Sequence, residues 1–214
     1  MITNQSVRKM ISRVAMMLLF MLFTTASAWA DNSGSCGSGV TFAYNESDHT
    51  LTIGGTGAMT DFTNGEQPWY SYRTNITTLV IEEGVTHIGN NSFREASYIT
   101  SVTLPASVNS IGDYAFQYTG RYASDCPFTA AENSQLTSIG THSFTKVGGN
   151  VDLRNCKSLT TIGENVFMNF KKTVYLPVST RTIVKDAFYN TGVNDGKPTV
   201  RVAYDKSTVF VVNV

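Results

Sequence analysis

The sequence predicts a mainly β repeat solenoid, its N-terminal end closed by a β-hairpin cap. Three observations predict it. A frame of apolar residues recurs five times at a step of 21 to 28 residues, marked by Phe93, Phe116, Phe144, Phe167 and Phe188. Each copy opens on a short alternating stretch that reads as a strand, and a differently composed segment precedes the first copy. Self-similarity at a step of about 20 to 50 residues is the mark of units that cannot bury their apolar face alone and do so by stacking.

The template is Ile99 to Phe116, ITSVTLPASVNSIGDYAF. Its strand half, Val102-x-Leu104, recurs as Leu79-x-Ile81, Val151-x-Leu153 and Val174-x-Leu176, and Val200-x-Val202 opens a sixth, incomplete unit. Alternate side chains of a strand share a face, so Val102 and Leu104 point inward while Ser101 and Thr103 point out. Its second half, Ile111-Gly112, has counterparts at Ile88-Gly89, Ile139-Gly140 and Ile162-Gly163; the fifth copy has Ile183-Val184. Glycine there suits either a positive φ or a close backbone approach. The third copy is irregular, with its strand expected near Cys126-Pro127-Phe128 and its excess residues around it.

Upstream, Val40 to Tyr44 and Leu51 to Ile53 alternate about the turn-rich Asn45 to Asp48, a hairpin pattern that leads to the aromatic cluster Pro68-Trp69-Tyr70-Ser71-Tyr72. A stack needs an atypical terminal unit, and the bland role for Trp69, Tyr70 and Tyr72 is packing on the first repeat. The expected organisation is a signal segment over 1–30, a β cap over 31–75, repeats over 76–204 and a strand-like tail over 205–214. The signal reading rests on Arg8, Lys9 and Arg13, the apolar run Val14 to Phe23, and Ala28-Trp29-Ala30 as a small-x-small cleavage site. Ten apolar residues are too few to span a bilayer, so no membrane span is expected after cleavage. An exported chain is the expectation, either secreted or held at a bacterial cell surface or in the periplasm. The tail Val209 to Val214 would leave an apolar edge unless it pairs.

The repeat pattern, Leu-Pro-x-x-Val-x-x-Ile-Gly-x-x-Ala-Phe in its clearest copy, resembles the leucine-rich repeats of BspA-like bacterial surface proteins. The segments Cys36-Gly37, Gly55-Thr56-Gly57-Ala58-Met59 and Pro68-Trp69-Tyr70 resemble the stretch that often precedes such repeats. The resemblance covers about residues 36 to 204. It implies a leucine-rich-repeat stack, export, and adhesion to host extracellular-matrix proteins or to other bacteria. The sequence departs from the pattern at the first strand position, where Gly148 and Lys171 stand in place of an apolar residue.

With 16 basic and 16 acidic residues and no Lys/Arg run, the chain lacks the basic footprint that nucleic acid requires. No motif for nucleophilic, metal-assisted or phosphate chemistry occurs, so no catalytic residue, metal or cofactor is expected. His87 and His142 read as surface histidines. Of three cysteines, Cys156 reads first as a buried structural thiol in the slot that satisfies turn backbone groups, with a Cys126–Cys156 disulfide as the alternative. The remaining candidate surface is the solvent face of the sheet: Thr103, Asp152, Arg154, Tyr175 and Arg201, with Tyr175 and the arginines as the residue types that dominate interfaces. The sequence therefore points to a non-enzymatic exported module that binds a protein or glycoprotein. A spacer without its own ligand, and a carbohydrate site near Trp69 and Tyr72, are the alternatives. Oligomeric state stays open.

Overall fold

The structure, a computed structural model, describes residues 32–190 in full and the backbone of strands Thr199–Tyr204 and Thr208–Val212. The expected signal segment 1–30 and part of the tail lie outside the described residues. Among the latter no α-helix occurs, and none is long and apolar enough to cross a membrane.

The cap is an antiparallel meander of β1 (Ser33–Gly37), β2 (Val40–Asn45) and β3 (Thr50–Gly55), followed by the short β4 (Gly57–Ala58). Strands β2 and β3 are the expected hairpin. Strand β1, SGSCG, has no apolar alternation and was invisible to a pattern reading. The repeats then contribute strands in pairs, one to each of two faces. These are β5 (Thr78–Ile81) and β6 (Val85–Ile88), β7 (Val102–Leu104) and β8 (Ser110–Ile111), β9 (Phe128–Ala130) and β10 (Ser138–Ile139), β11 (Val151–Asp152) and β12 (Thr161–Ile162), and β13 (Thr173–Leu176) and β14 (Thr182–Ile183). Strands β15 (Thr199–Tyr204) and β16 (Thr208–Val212) follow.

The first member of each pair builds the front face. Strand β3 pairs in parallel with β5, matching Leu51 to Leu79 and Ile53 to Ile81, so the cap passes into the stack without a change of register. Strands β7, β9, β11, β13 and β15 continue as one parallel ladder, which β16 closes antiparallel. The expected edge is thus paired within the chain. The second members form the opposite face, β4-β6-β8-β10 and β12-β14.

The third side is a turn that holds the phenylalanines. Phe93 N–H donates to Ala115 O (2.7 Å), Phe116 to Ser143 O (3.0 Å), Phe144 to Val166 O (3.0 Å) and Phe167 to Ala187 O (2.9 Å), a ladder from turn to turn. Behind it the rings stack: Trp69 on Phe93 (centroids 5.9 Å), then Phe116 (5.3 Å), Phe144 (5.8 Å), Phe167 (5.4 Å) and Phe188 (5.1 Å). Each such buried side chain contributes roughly 1.5 to 3 kcal/mol.

The backbone of that turn differs from the sequence expectation. The left-handed positions are those two residues before and two after each Phe, occupied by Asn91 and Glu95, Tyr114 and Tyr118, His142 and Lys146, Asn165 and Asn169, and Asp186 and Asn190. The glycines after Ile are not among the positive-φ residues. At Gly89, Gly112 and Gly140 the role is close approach: a Cβ on Gly112 would lie 2.6 Å from Asn90 N, and one on Gly140 2.6 Å from Asp113 N. The excess residues of the third copy fall on both sides of β9, which starts at Phe128: Phe128 lies 12 residues after Phe116 where Val102 lies 9 after Phe93, and Phe144 lies 16 after Phe128 where Phe116 lies 14 after Val102.

Candidate functional site

The front sheet is buried behind by Val102, Leu104, Phe128, Val151, Val174 and Leu176, and this alternation leaves the intervening residues outside. Parallel register then lines them up. Thr103 pairs with Thr129, Thr129 with Asp152, Asp152 with Tyr175, and Tyr175 with Arg201. Four of the five residues expected at the surface therefore share one row, which at a strand spacing near 4.8 Å is about 19 Å long. Thr129 completes the row and was missed because the third strand starts later than its frame suggested. The side chain of Arg201 lies outside the described residues.

Arg154 stands two residues beyond Asp152 and folds back on it. Its Nε donates to Asp152 Oδ1 (2.9 Å) and Oδ2 (3.1 Å) and its guanidinium forms an ion pair with the same carboxylate (2.5 Å). The guanidinium carbon sits 5.0 Å from the Tyr175 ring centroid. The Asp152 hydrogen bond raises the Arg154 pKa above its ordinary value, with burial opposing. The Arg154 side chain is 54% exposed, so this pair adds about 0.2–1 kcal/mol at most to stability. Its effect is to fix an arginine on an aromatic face without burying either, which is an arrangement that favours capture of a partner.

Between β5 and β7 the ladder is interrupted, and a shallow hollow of about 370 Å³ opens there beside Val80, Ser101, Thr103 and Pro105. Glu83 spans the same break, accepting hydrogen bonds from the N–H groups of Ala106 (2.7 Å) and Ser107 (3.1 Å). The Ala106 N–H is the main influence on its carboxyl and, with the Ser107 bonds, holds it below the usual range.

Other expected chemistry is relocated. Trp69 is 1% exposed and donates its indole N–H to Ser92 O (2.8 Å), and Tyr72 stacks on Tyr44 (4.6 Å) while its hydroxyl donates to Asn32 Oδ1. These rings serve the cap, and the carbohydrate site near them is withdrawn. The cysteines are free and buried. Register explains why Cys126 and Cys156 do not meet: Phe128 pairs with Val151, so Cys126 is level with Gly149, whereas Cys156 lies beyond the other end of β11. A disulfide needs Cα atoms about 4.4–6.8 Å apart. Cys156 Sγ instead contacts Ser134 Oγ (3.5 Å), and the side chain that satisfies a neighbouring backbone carbonyl is Asn155, whose Nδ2 donates to Ala130 O (2.9 Å).

The histidines are not free surface groups either. His142 lies edge-on to Tyr114 at 4.8 Å, and burial lowers its pKa. His87 bridges Asp61 Oδ1 (3.1 Å) and Ser110 Oγ (2.7 Å). Asp61, His87 and Ser110 stand in a line, and the Ser110 hydroxyl is shared between His87 Nδ1 and Asn109 Oδ1 (3.0 Å). Asp61 belongs to a different device. It accepts the Asn90 N–H (2.8 Å), Asn90 Oδ1 accepts the Asp113 N–H (2.7 Å), and Asp113 Oδ1 accepts the Thr141 N–H (2.8 Å), fastening four successive levels. Among the described residues no group of three or more His, Cys, Asp or Glu is placed to hold a metal ion.

Comparison with known proteins agrees with this geometry. Residues 66–194 match the family described as "BspA type Leucine rich repeat region", in six copies. The chain belongs to the BspA-type leucine-rich repeat family. Its structure resembles that of a leucine-rich repeat protein from Eubacterium ventriosum, with 27% sequence identity, a TM-score of 0.62, and coverage of 80% of this chain and 44% of that one. A leucine-rich cell surface protein from Faecalibacterium prausnitzii also matches, at 19% identity and a TM-score of 0.35 over 82% of this chain and 48% of that one. This BspA-type chain spans less than half the length of either solved relative. No curated protein matches it.

Proposed function

We propose that this chain is an exported, non-enzymatic adhesion module that binds a protein or glycoprotein, such as a host matrix protein, through the outer face of its front sheet. The observation that carries this is the row Thr103, Thr129, Asp152, Tyr175 and Arg201 in one register, with Arg154 held over the Tyr175 ring. A flat row built on a rigid ladder orders few side chains on binding, and a seated Tyr–Arg pair is of the type that supplies interface hot spots. Membership of a leucine-rich repeat family and the N-terminal export pattern support the same reading.

The test is binding of the purified mature chain to an array of immobilised matrix proteins and glycoproteins. A partner should be captured, and Tyr175→Ala with Arg154→Ala should weaken that capture at least about tenfold while the melting temperature holds. Capture that survives both substitutions would place the partner on another face.

A further inference from the structure

At the corner where the phenylalanine turn runs into the front strands, the first two repeats place Ile76 and Ile99, both fully buried. Each stands three residues before an inward strand residue, Leu79 or Val102. In the next three copies the same frame position holds Asp125, Gly148 and Lys171, ahead of Phe128, Val151 and Val174. In these copies the corner carries a cleft of about 340 Å³, and Gly148 in its wall packs so closely on the chain that a Cβ would lie 1.9 Å from Gly120 O. Arg121, Lys146, Lys171 and Lys172 line this cleft, together with Ser124 and Asn169.

Four cations from three repeats thus converge on one concavity in a chain of zero formal net charge. No carboxylate lines it; Asp125, nearest in sequence, accepts the Cys126 N–H at 3.0 Å. Among the described residues the ion pairs are Arg73–Glu95, His87–Asp61 and Arg154–Asp152, so none of the four is neutralised by an acid. Arg121 is held in place, 4.8 Å from the Tyr118 ring and 4.5 Å from the Tyr122 ring, and Lys146 sits 5.4 Å from Tyr118. Like charges repel when gathered, and a concave wall concentrates their field outward. A polyanion relieves that repulsion.

We infer that this corner cleft binds an anionic polysaccharide, its sulfate or carboxylate groups meeting Arg121, Lys146, Lys171 and Lys172 and its hydroxyls meeting Asn169 and Ser124. The arrangement favours a polysaccharide over single-stranded nucleic acid, which needs free aromatic faces for its bases. The rings of Tyr118 and Tyr122 already lie against the protein's own cations. Duplexes require a basic surface far longer than one cleft.

The experiment is calorimetric titration of the purified mature chain with dextran sulfate, polygalacturonate, neutral dextran and a deoxythymidine oligomer. Dextran sulfate, polygalacturonate or both should bind, more weakly as salt rises, and neutral dextran should not. Lys171→Gln with Lys172→Gln should weaken binding at least about tenfold and flatten its salt dependence, and Arg121→Gln should weaken it independently. Lys157→Gln with Lys185→Gln, exposed elsewhere, should leave affinity within about twofold, as should Tyr175→Ala on the sheet face. The inference is overturned if neither acidic polysaccharide binds, if neutral dextran binds equally, if the control pair costs as much as the cleft pair, or if the oligonucleotide binds more tightly than either polysaccharide. Thermal melts of each variant show whether a lost affinity is a lost fold.

Discussion

The Trp69 indole stacks on the Phe93 ring, with centroids 5.9 Å apart and planes 17° from parallel. Cap and repeats therefore share one aromatic column, and Phe116 stands inside it, stacked on Phe93 and Phe144 with the edge of Phe128 against it. Phe116→Ala should destabilise the chain by about 3–5 kcal/mol in urea denaturation, the cost of a large cavity with rings on three sides. Phe188→Ala, in the last turn among the described residues, should cost less. Equal losses at the two positions would contradict a stack whose interior is better packed than its end.

Acid should loosen the links between repeats. Burial pushes the Asp61 carboxyl up, but the Asn90 N–H and His87 outweigh it and hold the pKa below its ordinary value of 3.8. Glu83 is held below its ordinary 4.5, chiefly by the Ala106 N–H. A carboxyl whose folded pKa is depressed contributes stability that is present above its unfolded pKa and lost as pH falls through the folded one. The loss should therefore begin near pH 4 and deepen below it. Asp61→Asn with Glu83→Gln should lower the urea midpoint at pH 6, and the gap from the unsubstituted chain should narrow as pH falls below about 4. A gap independent of pH would refute the assignment.

What the sequence made legible was whatever repeats in side-chain type. The Phe column, the strand alternation and the outward row apart from Thr129 follow from period-two patterning laid over a repeat step, and so could be numbered before any coordinates. Features built from unlike residues at like positions were hidden. The left-handed turn sites hold Asn91 and Asn165 but also Tyr114 and His142, and only the asparagines advertise a positive φ. The cation cleft was hidden more deeply, since Arg121, Lys146 and Lys171 lie about one repeat apart and form no run. Its one sequence signal was a negative one, the missing isoleucine at Gly148 and Lys171.

Thiol chemistry separates the two readings of the cysteines. Burial pushes the pKa of Cys36 up to about 11, that of Cys126 to about 12 and that of Cys156 to about 11. At pH 8 the folded chain should resist iodoacetamide at all three positions, and urea should expose all three. Unfolded thiols ionise near pH 9 while the folded ones stay protonated, so stability should also fall as pH rises from about 9 towards 11. A Cys126–Cys156 peptide in a non-reducing digest of the exported protein would show that the bridge forms.

The glycines after isoleucine offer the sharpest test of the stacking register, because two of them share a frame position and differ only in what lies opposite. Neither Gly112 nor Gly163 has a positive φ, so alanine meets no backbone penalty at either. On Gly112 a Cβ would lie 2.6 Å from Asn90 N and 2.9 Å from Gly89 C, both backbone atoms of the preceding repeat that cannot move without breaking the Asn90–Asp113 link. On Gly163 the nearest atoms are Val166 Cγ2 at 3.8 Å and Ile139 O at 3.9 Å, which is ordinary contact. Gly112→Ala should therefore destabilise by roughly 1–3 kcal/mol through overpacking. Gly163→Ala should be neutral or stabilise by about 0.4–1 kcal/mol, since alanine restricts the unfolded chain. Urea denaturation of the two variants decides the matter: if Gly163→Ala is as damaging as Gly112→Ala, the fourth repeat packs as closely as the second and the register drawn between them is wrong.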